Sequence, residues 1–184
     1  MVIFDKPGRD NAEATAKIAM AAAKERGITT IVTPSTSGYS GELLKDARSA
    51  GIKVVLVSHV HGFKNPGEQR MPEEKRQELL ELGYEIVTAT HVLSGAERGL
   101  SNKFSGVYPV EIIAHTLRMM GAGTKVAVEC AVMALDAGKI GYMEPILALG
   151  GTGKGIDTAL IMRTSHGANI LDCRVDEFLC KPRP

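Results

Sequence analysis

Residues 29–40 read Thr-Thr-Ile-Val-Thr-Pro-Ser-Thr-Ser-Gly-Tyr-Ser (TTIVTPSTSGYS). Thr29 to Thr33 is a short β-branched and apolar run, the mark of a strand buried on both faces. Pro34 to Ser40 is a polar loop that leads into a helix. The same pairing of buried strand and polar loop returns three times. Val54-Val55-Leu56-Val57 is followed by Ser58-His59-Val60-His61-Gly62-Phe63-Lys64. Glu85-Ile86-Val87-Thr88 is followed by Ala89-Thr90-His91. Pro145-Ile146-Leu147-Ala148-Leu149 is followed by Gly150-Gly151-Thr152-Gly153-Lys154-Gly155. The opposite strand ends, around Gly27, Gly51 and Gly83, carry short plain turns. In an open parallel sheet ligands bind beyond the carboxyl ends of the strands, so this asymmetry predicts one polar crevice on one sheet edge.

Helical signals separate the strands. Asp10 with Glu13 has capping-box spacing, opening an alanine-rich helix that runs to Gly27. Leu43, Leu44, Ala47 and Ala50 form a helical stripe ending at Gly51. Pro72 suits the first position of a third helix, Glu73 and Glu74 suit its dipole, and Gly83 stops it. Pro109 opens a helix with Val110, Ile113, Leu117 and Met120 on one face. A further helix carries Val128, Ala131, Val132 and Leu135 and ends before Gly138. Ala159 to Met162 and a segment from about Ile170 to Leu179 read as closing strands, with antiparallel pairing. Thr90 to Tyr108, rich in Gly and Ser, reads as a structured loop. The whole predicts an α/β fold: a mostly parallel sheet covered on both faces.

The bulk numbers agree with this class. A chain of 184 residues fits one ordinary domain, taken here as 1–184. It is 44% apolar and 23% charged, which argues against disorder. Lys plus Arg (22) nearly balances Asp plus Glu (21), so no global field recruits nucleic acid. Aromatic residues are 4% with no Trp, leaving few platforms for stacking bases. The start, MVIFDKPGRD, has no secretory-leader pattern, and no apolar run has membrane-spanning length. Three cysteines without CxxC spacing suit a reduced, cytoplasmic protein.

Ser35, Thr36, Ser37 and Ser40 offer four hydroxyls where a helix cap needs one. With free backbone N–H groups around Gly38 and Tyr39 they suit a phosphate monoester; a plain cap is the bland alternative. His59, His61 and His91 are candidates for ligand contact. A three-histidine metal site is the lesser reading, because no carboxylate or cysteine stands at metal-like spacing nearby. Asn65 to Arg70 reads as a turn-rich, solvated loop; action of Glu68 or Arg70 on a substrate is the lesser reading. ALGGTGKGID (148–157) fails the Walker A pattern at Ala148 and Gly155, and fails GxGxxG at Ile156. Its glycines still permit close backbone approach to a ligand. His115 reads as a core or interface histidine, and Cys130 as an inert apolar thiol. Ser165-His166 has no GxSxG elbow to complete a hydrolase triad. No residue stands out as acid, base or nucleophile, so the catalytic residues, if any, are unassigned.

Five segments carry a family resemblance: FDKPGRDN (4–11), VTPSTSGYSGELL (32–44), HGFKNPGEQRMPEE (61–74), the stretch 88–138, and LGGTGKGIDTALIMRTSH (149–166). On these the sequence resembles the small archaeal and bacterial proteins related to the C-terminal domain of pyruvate kinase. The resemblance implies a three-layer α/β/α sandwich. In pyruvate kinase this domain holds the allosteric sugar-phosphate site on a TxSGxS-like loop and none of the kinase's catalytic residues. Ser37, Gly38 and Ser40 correspond to that loop, whereas the flanking residues differ. With no catalytic barrel, pyruvate kinase activity is not implied. Because members of the family carry FMN, the resemblance implies FMN as cofactor, with its phosphate on Ser35 to Ser40. Its ring would lie along Gly150, Gly151, Thr152 and Gly153 and along His59, His61 and Gly62, with Thr90 and His91 nearby. Lys154 or Lys64 would stand at the ring's N1–C2=O edge. A flavin-dependent redox protein and a non-catalytic module that senses a phosphorylated metabolite both remain open, as does a homo-oligomeric state.

Overall fold

The computed structural model describes residues 1–183. Seven strands form one sheet: β1 (Val2–Phe4), β2 (Thr30–Pro34), β3 (Lys53–Ser58), β4 (Glu85–Thr88), β5 (Pro145–Gly150), β6 (Thr158–Arg163) and β7 (Arg174–Pro182). Their spatial order is β1-β7-β6-β5-β2-β3-β4. β5, β2, β3 and β4 are mutually parallel, β6 is antiparallel to both β5 and β7, and β1 lies parallel to β7. β6 is therefore the one reversed strand, and the closing pair is antiparallel as expected.

Side chains alternate cleanly through the central strands. Ile31, Val54, Leu56, Leu147, Leu149 and Ile161 face one core; Val32, Val55, Val57, Ile146, Ala148 and Leu160 face the other. Helix α1 (Ala12–Arg26) covers the first face through Ala12, Ala16, Ala19 and Ala23. These alanines recur at helical spacing and let the helix lie close to the sheet. Leu79 of α3 (Glu73–Glu81) joins the same core beside Leu44, which follows α2 (Tyr39–Glu42). The second face is covered by α6 (Ala122–Asp136), through Ala127, Val128, Ala131 and Ala134, with Leu117 of α5 (Pro109–Arg118) packed against it. Helices on both faces make the three-layer α/β/α arrangement. No helix among the described residues is long and apolar enough to cross a membrane.

Several local expectations need correction. Thr90–Tyr108 is not only loop: Gly95–Phe104 forms a ten-residue helix, α4, none of whose residues is buried. It lacks the buried stripe on which periodicity reading depends. The stripe from Leu43 to Ala50 is a 3-10 turn at Arg48–Ala50 after short α2, not one helix. The capping box does not form, because a 3-10 turn at Arg9–Asn11 precedes α1 and makes Asn11, not Asp10, its cap, with no side-chain cap bond. Pro72 is the residue before α3 rather than its first. The last strand begins at Arg174, after a 3-10 segment over Gly167–Asp172, and β1 has no counterpart in the sequence reading.

Chain order explains the site's place. From β2 the chain moves outward to β3 and β4, then returns to lay β5 on the other side of β2. The loops after β2 and β5 thus part at a topological switch point, where doubly wound sheets open a crevice.

Candidate ligand site

Two adjoining cavities lie at this switch point. The first, about 560 Å³, is lined by the loop after β2, by Arg9 and Arg70, and by Gly151, Gly153, Lys154 and Gly155 of the loop after β5. The second, about 440 Å³, is lined by Val57, Phe63, Thr90 and His91 and by residues of α4, α5 and α6. Pro34, Ser35, Thr36, His59 and Val126 line both, so the two are lobes of one crevice.

In the first lobe the serine loop is partly consumed by its own structure. Ser35 is buried, and its Oγ accepts the Gly38 N–H at 3.0 Å. Ser40, also buried, donates its hydroxyl to the Pro34 carbonyl. Ser40's proton and one lone pair of Ser35 Oγ are thus spent on the turn, as in the capping alternative, while Ser37 stays exposed and Thr36 half-buried. Gly38 has φ 95°, the left-handed region that favours glycine.

Much of this lobe's charge comes from outside the strand-end loops on which the sequence reading centred. Arg9 sits on the turn before α1, with its guanidinium 4.0 Å over the Tyr39 ring. Arg70 reaches in from the segment before α3. With Lys154, three cations line the lobe and no carboxylate does.

Asp157 holds the glycine loop in place. Fully buried, it accepts from the N–H of Gly8 at 2.9 Å, the N–H of Thr152 at 3.1 Å and the hydroxyl of Thr158 at 2.9 Å. One carboxylate thus ties the turn carrying Arg9 to the loop carrying Lys154. Gly155 abuts that turn: a Cβ there would stand 3.0 Å from Arg9 Cα. The glycines have different tasks. A Cβ on Gly150 would fall on the Gly123 carbonyl and lie 2.8 Å from the Ala127 nitrogen, so Gly150 serves the packing of β5 against α6. A Cβ on Gly151 would meet the Gly155 carbonyl within the loop, whereas Gly153 has open space and φ 78°.

The histidines divide as well. His59 stands between the lobes, its ring stacked on Phe63 at 4.0 Å. Its Nδ1 lies 3.3 Å from the Thr36 hydroxyl and 3.5 Å from Arg70 Nη1. A guanidinium only donates, so Nδ1 accepts and the proton sits on Nε2. Burial, with His91 and Arg70 nearby, holds His59 down to about 4. His91 Nε2 accepts the Val60 N–H at 3.3 Å, and burial lowers it too, helped by Lys125 and Arg98 against the pull of Glu129. Both rings are neutral near pH 7. His61 is exposed and bonds the Gly67 carbonyl at 2.9 Å, and Gly62, φ 82°, closes the same turn against the Glu68 carbonyl. Neither they nor Lys64 lines a lobe. Among the described residues no group of three His, Cys, Asp or Glu is placed to hold a metal ion.

Behind the second lobe, α6 carries a buried ion pair, Lys125 with Glu129, one turn apart. Glu129 also accepts the Leu93 N–H at 3.0 Å, tying the loop after β4 to α6. Arg98 of α4 and Arg118 of α5 complete the lining. Cys130 is wholly buried there, and burial pushes its thiol far above the ordinary range, so it is inert. Glu97 caps α5 by accepting the N–H groups of Val110 and Glu111 at 3.2 and 3.1 Å. Arg118, Lys125 and Glu129 sit on helices whose apolar faces dominated the sequence pattern, whereas Arg98 and Glu97 sit on α4, which has no buried residue. The charges at i and i+4 on a buried helix were the signal that could have revealed the pair.

Known proteins bear out this architecture. The family model described as "Pyruvate kinase, alpha/beta domain" matches residues 13–162. Crystal structures of a pyruvate kinase from Cryptosporidium parvum match 86% of the chain at 14% identity, with TM-scores of 0.43 and 0.41. The same enzyme in complex with ADP matches 83% at 14% identity and a TM-score of 0.40. The chain spans 23% of those pyruvate kinases' length. Carried by the family match over residues 13–162, the conclusion is that this chain belongs to the pyruvate kinase alpha/beta-domain family.

Proposed function

We propose that the crevice binds a phosphorylated small molecule, and that FMN is its ligand. The observation that carries this reading is the first lobe's charge: Arg9, Arg70 and Lys154 converge on it with no carboxylate among its lining residues. Three cations of one sign favour an anion there, and guanidinium groups match phosphate geometry. The exposed Ser37 hydroxyl supplies a neutral donor.

The residues also suit the rest of FMN. Gly153 lets a flat ring approach the backbone, and neutral His59 stacked on Phe63 offers a planar wall between the lobes. A bound flavin would supply one- or two-electron transfer. The chain's own part would be to hold the phosphate with the three cations, to bound the ring with Gly151 and Gly153, and to place Lys154 at its edge. Lys64, which lines neither lobe, has no part in this reading.

Mass spectrometry of whatever is released from the purified protein tests the proposal. FMN is the expected ligand. A protein that releases no flavin, binds no added FMN and gains no thermal stability from it would overturn the flavin. Stabilisation by sugar phosphates but not by FMN would instead establish a non-catalytic sensor of phosphorylated metabolites. The exposed apolar side chains Phe104, Val107, Ile112 and Met119 support a homo-oligomer, which sedimentation would read directly.

A further inference from the structure

The second lobe carries more positive charge than its own structure uses. Lys125 is buried and neutralised by Glu129. Arg98 and Arg118 have no carboxylate within 4.0 Å among the described residues, yet both line the lobe. Neutral His91 adds no charge. Ser94 and Gly95, at the start of ten-residue α4, line the same space. The remaining walls are largely apolar, from Val57, Phe63 and Met133. Two free guanidinium groups beside an apolar wall suit a planar carboxylate on a carbon skeleton, held fork to fork.

We propose that this lobe is a subsite for a carboxylate-bearing small molecule, held by Arg98 and Arg118 next to the phosphorylated ligand. The inference deepens the reading of the crevice as a ligand site and gives the chemical class of its second occupant. His59 would separate the two, because it lines both lobes. The site is assembled by α4 and α5 on the outside and by the Lys125–Glu129 pair behind.

Calorimetry in a carboxylate-free buffer tests it on the full chain. Succinate and benzoate are titrated against their uncharged amides, with and without saturating FMN. At least one acid should bind and its amide should not, and this comparison needs no variant. The R98Q/R118Q double substitution should weaken that acid by about tenfold or more, the loss of one or two charge-assisted contacts. The same variant should leave FMN affinity within about twofold, well under one such contact. Failure of both acids, an amide that binds as well as its acid, or full binding by the double variant would overturn the proposal. So would a loss of FMN affinity in that variant, because the lobe would then belong to the phosphorylated ligand. If FMN does not bind at all but an acid does so through Arg98 and Arg118, the carboxylate subsite stands and the flavin reading falls.

Discussion

The lobe around Ser37 and the lobe around Arg118 share a wall at His59, yet the chain builds them in opposite ways. The first is made of strand-end loops, held by backbone turns and by one buried carboxylate, Asp157. The second adds to the loops after β2, β3 and β4 the side chains of α4, α5 and α6, which supply its charge and a buried ion pair. The first should therefore be sensitive to whatever changes loop geometry, and the second to whatever unbalances charge. A lesion in one should spare the other's ligand.

The largest effect is expected at Glu129. Its replacement by Ala leaves Lys125 buried without its partner and the Leu93 N–H without its acceptor. Urea unfolding should show a loss of about 3–5 kcal/mol. The double change K125M/E129L should recover the part due to the unpaired charge, since a well-packed apolar pair often replaces a buried ion pair at little cost, and leave a loss of about 1–3 kcal/mol from the Leu93 N–H. If E129A unfolds at the parent's denaturant midpoint, the second lobe does not rest on this pair.

Asp157→Ala comes next. Three donors lose their acceptor, and a stability loss of about 3 kcal/mol is expected in the same assay. Because it unties the Arg9 turn from the Lys154 loop, it should also weaken FMN while leaving carboxylate binding at the second lobe intact. Equal losses at both lobes would show that the two are not built independently.

A glycine pair sharpens the contrast within the first lobe. Gly150→Ala drives a methyl into the Gly123 carbonyl and should destabilise by about 1–3 kcal/mol, through strand–helix packing. Gly153→Ala meets nothing within 4 Å but occupies φ 78°, so about 1 kcal/mol is expected, with any further effect falling on ligand affinity. The reverse order in thermal melts would mean that Gly150 is free to touch a ligand after all.

The smallest effect is a pH dependence at the shared wall. His59 is held at about 4 in the folded chain against an ordinary value of 6.5. Between these values the unfolded chain binds the extra proton, so stability rises with pH through that window and is lost as pH falls from 6.5 toward 4. His59→Gln should flatten the corresponding slope of melting temperature against pH. An unchanged slope would place the titration elsewhere.

Reading the sequence recovered the strands that alternate between two buried faces and the loops that follow them, because both are contiguous in the chain. Thus Ser35 to Ser40 and Gly151 to Lys154 meet at one edge as expected. What it missed arises when distant residues meet. Arg9 was hidden in an N-terminal turn, and its role depends on Asp157, almost 150 residues later. Arg70 sits in a turn-rich loop, where the sequence favours a solvated side chain over a substrate contact. Arg98 lies on α4, which has no buried face to mark it as a helix. Lys125 and Glu129 disappeared beneath the apolar stripe of α6. His61, Gly62 and Lys64 follow β3 in sequence but line neither lobe, because their turn folds back on itself toward Gly67 and Glu68.

The central claim is that three cations in the first lobe recognise a phosphate. Titrating the protein with FMN and with riboflavin, which differ by that phosphate alone, tests it most directly. FMN should bind about a hundredfold tighter or more, the equivalent of two charge-assisted contacts, and R9A/R70A/K154A should remove this preference. Equal affinity for the two flavins, or an FMN preference that survives the triple substitution, would contradict it.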